Sequence, residues 1–231
     1  MKIMINNRIT QLVYRTIFLT ISLFGIIESF GLFYGQTPGF GCFVYYTSLS
    51  NFLCFGVMMA VWIKTIKHIN KNEIRGNNDC LVHLKFSTTI ISLVTFVVYN
   101  FILTDSMFGE GWNTLGNMIK HIICPLLFVL DYILFDAHYI VKWYDPLLCP
   151  VLPIIYVASI LIRGAILPND YAGVVYPYFF LDVNKLGYSG VFIWVLILVL
   201  AFVAIAFILF FYDKIEIKEK KISFSLKKKI S

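Results

Sequence analysis

The segment HIICPLLFVLDYILFD, His121–Asp136, is apolar enough to cross a bilayer, yet it contains a histidine, a proline and two aspartates. Ionisable side chains at membrane depth are costly, so they usually face a bundle interior and are candidates for function. Pro125 follows His121 by four residues, and its ring displaces the His121 carbonyl from the helical hydrogen-bond ladder. We therefore expect a helix that kinks beside the imidazole and opens a small polar pocket there.

The composition of the whole chain is that of a membrane protein. Of its 231 residues, 59% are hydrophobic and 14% are charged, whereas about 25% of the residues in a soluble domain are charged. A span needs about 20 mostly apolar residues. The chain contains six such stretches, at about 10–34, 43–64, 86–106, 115–140, 147–167 and 189–212. We predict an all-α polytopic membrane protein, a single domain over 1–231 in which six helices form one bundle.

The basic residues predict the topology of this bundle. Apart from Lys120, Arg163 and Lys185, all of the 19 Lys and Arg residues lie at the N-terminus, in the 2–3 and 4–5 loops or their flanks, or in the tail 213–231. Basic loops stay in the cytoplasm, so we expect both termini to be cytoplasmic. This distribution argues against a nucleic-acid-binding face, although the net charge is +6. We expect the basic tail to bind anionic lipid. The composition, rich in Lys, Ile and Asn, suggests the plasma membrane of a bacterium.

The spacing of the cysteines argues against a disulfide framework, and the spacing of the possible metal ligands argues against a metal site. The five cysteines are Cys42, Cys54, Cys80, Cys124 and Cys149, and they show neither paired nor metal-type spacing. We expect soft, mostly buried thiols. No cluster of His, Asp or Glu has ligand spacing, so we predict no metal and no other cofactor.

Hydroxyl and amide side chains open the second span. In FVYYTSLSNFLCF, residues 43–55, Thr47 and Asn51 are four apart and share a helix face, and Ser50 lies beside them. The ordinary interpretation is hydrogen bonding within the helix and between helices. The alternative is a reactive site, because under the predicted topology Thr47 lies at about the depth of His121.

Three further charges fall within the spans, each with two open interpretations. Glu28 either reaches the surface or accepts a cation from inside the bundle. Arg163 either extends to lipid phosphates or pairs with a carboxylate, for which Glu28 is the candidate. Asp131, near mid-membrane, either neutralises a cation or is protonated in place.

The predicted topology places Glu28, Thr47, Asn51, His121 and Arg163, from four different helices, in the outer half of the membrane. We therefore expect a shared polar pocket that opens toward the outer leaflet. The aromatic-rich loop at 168–188 is long enough to act as its lid or as a binding element. Two further pocket candidates in that loop are Tyr176 and Asp182.

Several motifs carry a resemblance to a known family. YYTSLSN at 45–51 resembles the F-T-x-x-x-N motif that opens the second helix of the androgen-induced protein family and its prokaryotic six-span relatives. The segment 121–136 is similar to their H-x-x-x-P-L helix, which ends in a D-[WY]-x-L-F-D pattern. The prokaryotic branch shares the arginine-glycine at 163–164 and a YPYxFLDV-like outer loop, here 176–183.

The resemblance implies a membrane-embedded hydrolase that acts on esters of hydroxylated fatty acids with a threonine nucleophile and a histidine. Carried over to matching positions, the threonine is Thr47 and the histidine is His121. Neutral imidazole can take the hydroxyl proton near pH 7, which makes the weak nucleophile reactive. Asn51 or Arg163 would then stabilise the oxyanion. The expected partner is a membrane lipid or another amphiphilic acyl substrate.

Two other functions compete with the hydrolase. The first is a non-enzymatic six-helix carrier or lipid-binding protein in which Glu28, Asp131 and Arg163 handle a proton or an anionic headgroup. A carrier needs polar residues along a path through the membrane and often an internal repeat, neither of which is evident here. The second is a purely structural membrane partner, in which Thr47 and His121 would face different neighbours.

Overall fold

Six helices make up the fold in the computed structural model, which describes residues 5–32, 40–103, 115–138, 140–167 and 173–214. They are α1 (Arg8–Ser29), α2 (Tyr46–Asn70), α3 (Val82–Phe101), α4 (Leu115–Phe135), α5 (Asp145–Ile166) and α6 (Val183–Lys214). Each helix is long and apolar enough to cross a membrane, which confirms the predicted all-α class and the number of spans. Most of the basic tail, from residue 215 onward, lies outside the described residues.

The predicted bounds differ from the helices where charged side chains belong to a span. α2 continues to Asn70, beyond the predicted end at residue 64, and α3 begins at Val82 instead of residue 86. Lys85 therefore lies within α3, where it is fully buried. A prediction based on hydropathy places a lysine outside a span, because a lone ammonium group is unfavourable in the membrane. The carboxylates that pair with Lys85 belong to another part of the chain, so the sequence pattern of α3 does not reveal them.

Two apolar clusters hold the first four helices and α6 together. The first cluster contains three fully buried side chains, Phe18 of α1, Met58 of α2 and Phe128 of α4. Phe86 of α3, together with Tyr132 of α4, packs in a second cluster that reaches α6. By contrast, α5 and α6 expose most of their apolar side chains, as expected for helices that lie against lipid.

α4 changes geometry beside His121. A π-helical turn, Ile119–Ile123, separates the helical segments Leu115–Met118 and Cys124–Phe135. In this turn the Cys124 N–H donates to the Ile119 carbonyl, five residues back. Pro125 has no N–H to donate to the His121 carbonyl, so the regular ladder cannot pass through this point. The regular α-helix is thus interrupted next to the imidazole by a π turn, a feature that is frequent at functional sites.

α6 is interrupted once, at Gly187. Its φ of 65° lies in the left-handed region, which glycine adopts without steric cost. The uninterrupted part of α6 therefore follows this residue, close to the predicted start of the sixth span. The cysteines Cys42, Cys54, Cys80, Cys124 and Cys149 are all free thiols, and four of them are buried, which agrees with the expectation.

Candidate functional site

A polar cavity of about 360 Å³ opens at the end of the bundle where α1 and α3 end and α2 and α4 begin. It is lined by Ser29, Cys42, Tyr45, Thr47, Ser48, Tyr99, Leu103, Asn117, Lys120, His121 and Tyr178. Two of the sequence candidates, Thr47 and His121, therefore share one cavity although they come from α2 and α4. We call it the polar cavity below.

Thr47 lies in the first turn of α2 and is buried, with 9% of its surface exposed. Tyr45 just before the helix is extended, so the chain turns into α2 at this point. Tyr178, from the segment between α5 and α6, lines the polar cavity together with Thr47. Burial raises the pKa of the Tyr178 hydroxyl above its ordinary value, so this group stays protonated and can donate.

His121 lies within the π turn of α4, and its ring is oriented by stacking. The ring centroids of His121 and Tyr99 are 3.5 Å apart, and the two planes differ by 13°. Within the described part of the chain, the His121 Nδ1 atom is buried and has no hydrogen-bond partner. The structure therefore shows an imidazole held by an aromatic face, without the carboxylate that often orients a catalytic histidine.

Asn51 connects the two candidate residues through the backbone. Its side-chain nitrogen donates to the Thr47 carbonyl at 2.8 Å and to the Lys120 carbonyl at 3.0 Å. The Lys120 carbonyl is available because the π turn directs the Cys124 N–H to Ile119 instead. Two bonds match the two N–H groups of an amide. Asn51 thus holds the turn before His121 at a set distance from the first turn of α2.

Ser50 has a similar supporting position. Its hydroxyl donates to the Thr47 carbonyl at 2.9 Å and accepts from the Thr95 hydroxyl of α3 at 3.2 Å. Both residues are buried. Ser50 therefore joins α2 to α3 behind Thr47, as in the ordinary interpretation of these side chains.

Glu28 pairs with Lys120, and not with Arg163 as the sequence suggested. Glu28 Oε2 and Lys120 Nζ are 2.5 Å apart, and both side chains are largely buried. Gly116 makes this approach possible, because a Cβ atom there would overlap the Glu28 carboxylate. The pair joins the end of α1 to α4 and presents Lys120 at the wall of the polar cavity.

Arg163 anchors the chain that follows α5. Its guanidinium donates to the Val174 carbonyl at 2.6 Å and to the Val175 carbonyl at 2.8 Å. Gly164 lies against the ring of Tyr176, where a Cβ atom would overlap the phenol. The candidates Arg163 and Tyr176 therefore position the segment that brings Tyr178 to Thr47.

Within the predicted lid, residues 168–172 lie outside the described part of the chain. Asp182 accepts from the Asn184 N–H at 3.1 Å, so it caps the start of α6. Tyr178, which sequence reasoning did not select, is the loop residue that reaches the polar cavity. It is the second tyrosine of the YPYFFLDV motif, and that motif was the available signal.

Asp131 belongs to a separate ion cluster near the opposite end of the bundle. Its carboxylate accepts from Arg15 Nε at 2.9 Å and from Lys85 Nζ. Lys85 also donates to Asp136 at 2.5 Å, and Arg15 donates to the Thr65 hydroxyl at 2.6 Å. All four charged side chains are fully buried.

Of the two interpretations of Asp131, the structure therefore shows the one in which it neutralises cations. Arg15 and Lys85 are among the basic residues that predict the topology, and the sequence does not show that they pair with Asp131. The available signal was that Arg15 falls inside the first predicted span.

Comparison with known proteins adds no family: no family model, no curated protein and no solved structure matches the chain. The resemblance to the androgen-induced protein family therefore stays a prediction that rests on the motifs themselves.

Proposed function

We propose that the chain is an intramembrane hydrolase of a lipid ester, of the fatty-acid-ester class, with Thr47 as nucleophile and His121 as base. The observation that carries the proposal is the shared polar cavity, which is lined by both residues. Two further features support it: the π turn that holds His121 and the buried Nδ1 atom of its ring, which has no hydrogen-bond partner among the described residues. Such an unmet polar group in a native structure calls for an explanation, and a catalytic role provides one.

The reaction follows from the chemistry of the two side chains. The Thr47 hydroxyl attacks the ester carbonyl carbon while the His121 imidazole takes its proton. The imidazolium then protonates the departing alkoxide, so that the alcohol leaves and the acyl group remains on Thr47. A water molecule attacks this acyl-threonine with His121 again as base. The released fatty acid leaves, and the proton returns to Thr47.

The oxyanion of each tetrahedral intermediate needs hydrogen-bond donors in the polar cavity. Asn51 and Arg163, the donors suggested by the sequence, both hold backbone carbonyls. Tyr178 and Lys120 line the cavity instead. We assign the oxyanion contact to the Tyr178 hydroxyl, because the Lys120 ammonium is paired with Glu28.

The carrier alternative receives less support from the same contacts. It would use Glu28, Asp131 and Arg163 to handle a proton or headgroup. In the structure Glu28 pairs with Lys120, Asp131 is held by two cations, and Arg163 binds backbone carbonyls. Groups held in this way favour a fixed scaffold around the polar cavity.

The test compares purified wild-type protein in nanodiscs with Thr47→Ala and His121→Ala on a panel of long-chain acyl esters. We expect each substitution to lower kcat/KM by at least about 100-fold, the scale of a lost general base. Thr20→Ala is the matched control, because Thr20 is exposed on α1 and its hydroxyl donates to the Thr16 carbonyl as its one hydrogen bond among the described residues. Mass spectrometry at early times should find an acyl adduct on the peptide that contains Thr47.

Each other outcome has a defined meaning. Turnover that survives in both variants would show that the reactive residues are different ones. A wild-type protein that hydrolyses no ester would contradict the hydrolase and leave the lipid-binding alternative.

A further inference from the structure

A second cavity, lined almost entirely by apolar side chains, lies between α3, α5 and α6. Its volume is about 70 Å³, so it is smaller than the polar cavity. The walls include Val94 and Val98 of α3, Val157 of α5, and Leu198 and Phe202 of α6. We call this cavity the apolar slot.

The apolar slot and the polar cavity share a wall that includes Thr47. Four residues line both of them, namely Thr47, Leu103 and the tyrosines Tyr99 and Tyr178. The side chain with the proposed nucleophile therefore stands at a boundary between a polar and an apolar surface. The order of the polar surface, Thr47 and the apolar surface matches the order of the parts of an acyl ester, namely a polar end, a reactive carbonyl and a hydrocarbon chain.

We propose that the apolar slot binds the acyl chain of the ester and thereby places its carbonyl at Thr47. This inference rests on the proposed function and extends it to a specific binding site. The alcohol part of the substrate then lies in the polar cavity, toward Lys120 and Asn117. The small volume of the slot, about 70 Å³, limits the length of acyl chain that it can hold.

The physical reason for selectivity is packing, not transfer out of water. Lipid tails are as apolar as leucine side chains, so moving an acyl chain from the bilayer into the slot changes little hydrophobic free energy. Contacts with Val157 and Leu198 instead discriminate by shape, since dispersion attraction falls steeply when a gap remains. A chain that is too short leaves a gap, and a chain that is too long displaces the carbonyl from Thr47.

The slot also has an entrance from the side of the bundle. Ile154 of α5 lines the slot and is 46% exposed, so the slot reaches the surface beside α5. Neighbouring Ile155 is 57% exposed, and this face of α5 is apolar. An acyl chain can therefore enter directly from the lipid, without passing through water.

The first test narrows the slot. Leu198→Trp places an indole in its wall, whereas Leu196→Trp, on the same helix but 48% exposed, is the matched control. With esters that run from butyrate to palmitate, we expect Leu198→Trp to lower kcat/KM for the longest chain about 10-fold more than for the shortest. Val157→Phe serves as a second variant if Leu198→Trp does not fold. A chain-length profile equal to that of Leu196→Trp would overturn the inference.

The second test measures binding without catalysis. A fatty acid with a photoreactive diazirine at its terminal carbon is crosslinked to each protein, and the labelled peptides are mapped by mass spectrometry. We expect labels on the slot-lining segments of α3, α5 and α6 in wild type, Thr47→Ala and Leu196→Trp, and their loss in Leu198→Trp. Labels that persist in Leu198→Trp would overturn the inference.

The two tests separate the slot from the proposed reaction. Slot labelling in a protein that hydrolyses no ester would support the slot and contradict the hydrolase. Hydrolysis that needs Thr47, with labels only outside the slot, would support the hydrolase and contradict the slot.

Discussion

Asn51 is the single residue whose contacts bear most directly on the geometry between Thr47 and His121. Its amide donates a hydrogen bond to the Lys120 carbonyl, which the π turn leaves without its usual helical donor. The same amide also donates to the Thr47 carbonyl. The substitution Asn51→Leu keeps the volume but removes both donors. We expect a loss of about 1–3 kcal/mol in the free energy of unfolding, because a buried carbonyl loses its partner.

Activity distinguishes this positioning role from a general structural one. A displacement of about 1 Å can cost a factor of 100 in rate, so we expect Asn51→Leu to lower kcat by about 10-fold or more, with a smaller change in KM. The control is Asn100→Leu, since Asn100 donates to the Phe96 carbonyl of its own helix. Equal kcat values in the two variants would argue against the positioning role.

Gly164 is the second position where one side chain decides a contact. A Cβ atom in Gly164→Ala would overlap the Tyr176 ring, so the segment that carries Tyr178 must move. We expect the kcat for ester hydrolysis to fall by roughly 10-fold, because the Tyr178 hydroxyl no longer aligns with the oxyanion. Circular dichroism should show that the helices remain intact. Gly56→Ala is the control, because among the described residues its added Cβ meets no heavy atom within 4 Å apart from its chain neighbours and the adjacent backbone of its own helix. Unchanged hydrolysis in Gly164→Ala would show that the segment tolerates the shift.

At the scale of helices, the ion cluster joins α1, α3 and α4. Asp131→Asn leaves Arg15 and Lys85 with one carboxylate, that of Asp136. Removal of one partner from a buried charge pair costs about 3–5 kcal/mol, so we expect a loss of that size in the free energy of unfolding. Chemical unfolding in detergent measures it.

The matched control for the ion cluster is the exposed pair of Lys64 and Asp79, whose charged atoms are 2.8 Å apart. In folded protein the Lys64 ammonium holds the pKa of Asp79 below its ordinary value. Exposed pairs of this kind contribute little, so Asp79→Asn should change the free energy of unfolding by less than about 1 kcal/mol. Similar losses in Asp79→Asn and Asp131→Asn would contradict the structural role assigned to the cluster.

At the scale of the whole molecule, six membrane crossings, as in the described part of the chain, predict that the two termini lie on the same side of the membrane. The basic loops predict that this side is the cytoplasm. Green fluorescent protein fused to either end should therefore fluoresce in bacterial cells, and alkaline phosphatase fused there should be inactive. An active phosphatase at either end would reverse the predicted orientation and would place the polar cavity toward the cytoplasm.

The sequence by itself determined the features that depend on local chemistry. A bilayer imposes a length and an apolar surface on every helix that crosses it, so hydropathy found all six spans. The irregular turn beside His121 was also predictable, because Pro125 lacks an N–H wherever the helix packs. Likewise, the motif that contains Thr47 and Asn51 marked the first turn of α2 as polar.

Only the tertiary structure decided which side chains meet. Glu28 pairs with Lys120, and Asp131 pairs with Arg15 and Lys85. Tyr178, from a loop between two other helices, lines the same two cavities as Thr47. These partners depend on the rotation and relative depth of neighbouring helices, which are set by side-chain packing between distant parts of the chain. Sequence spacing within one helix carries no information about that rotation. The two cavities that Thr47 lines can therefore be located only in the folded bundle.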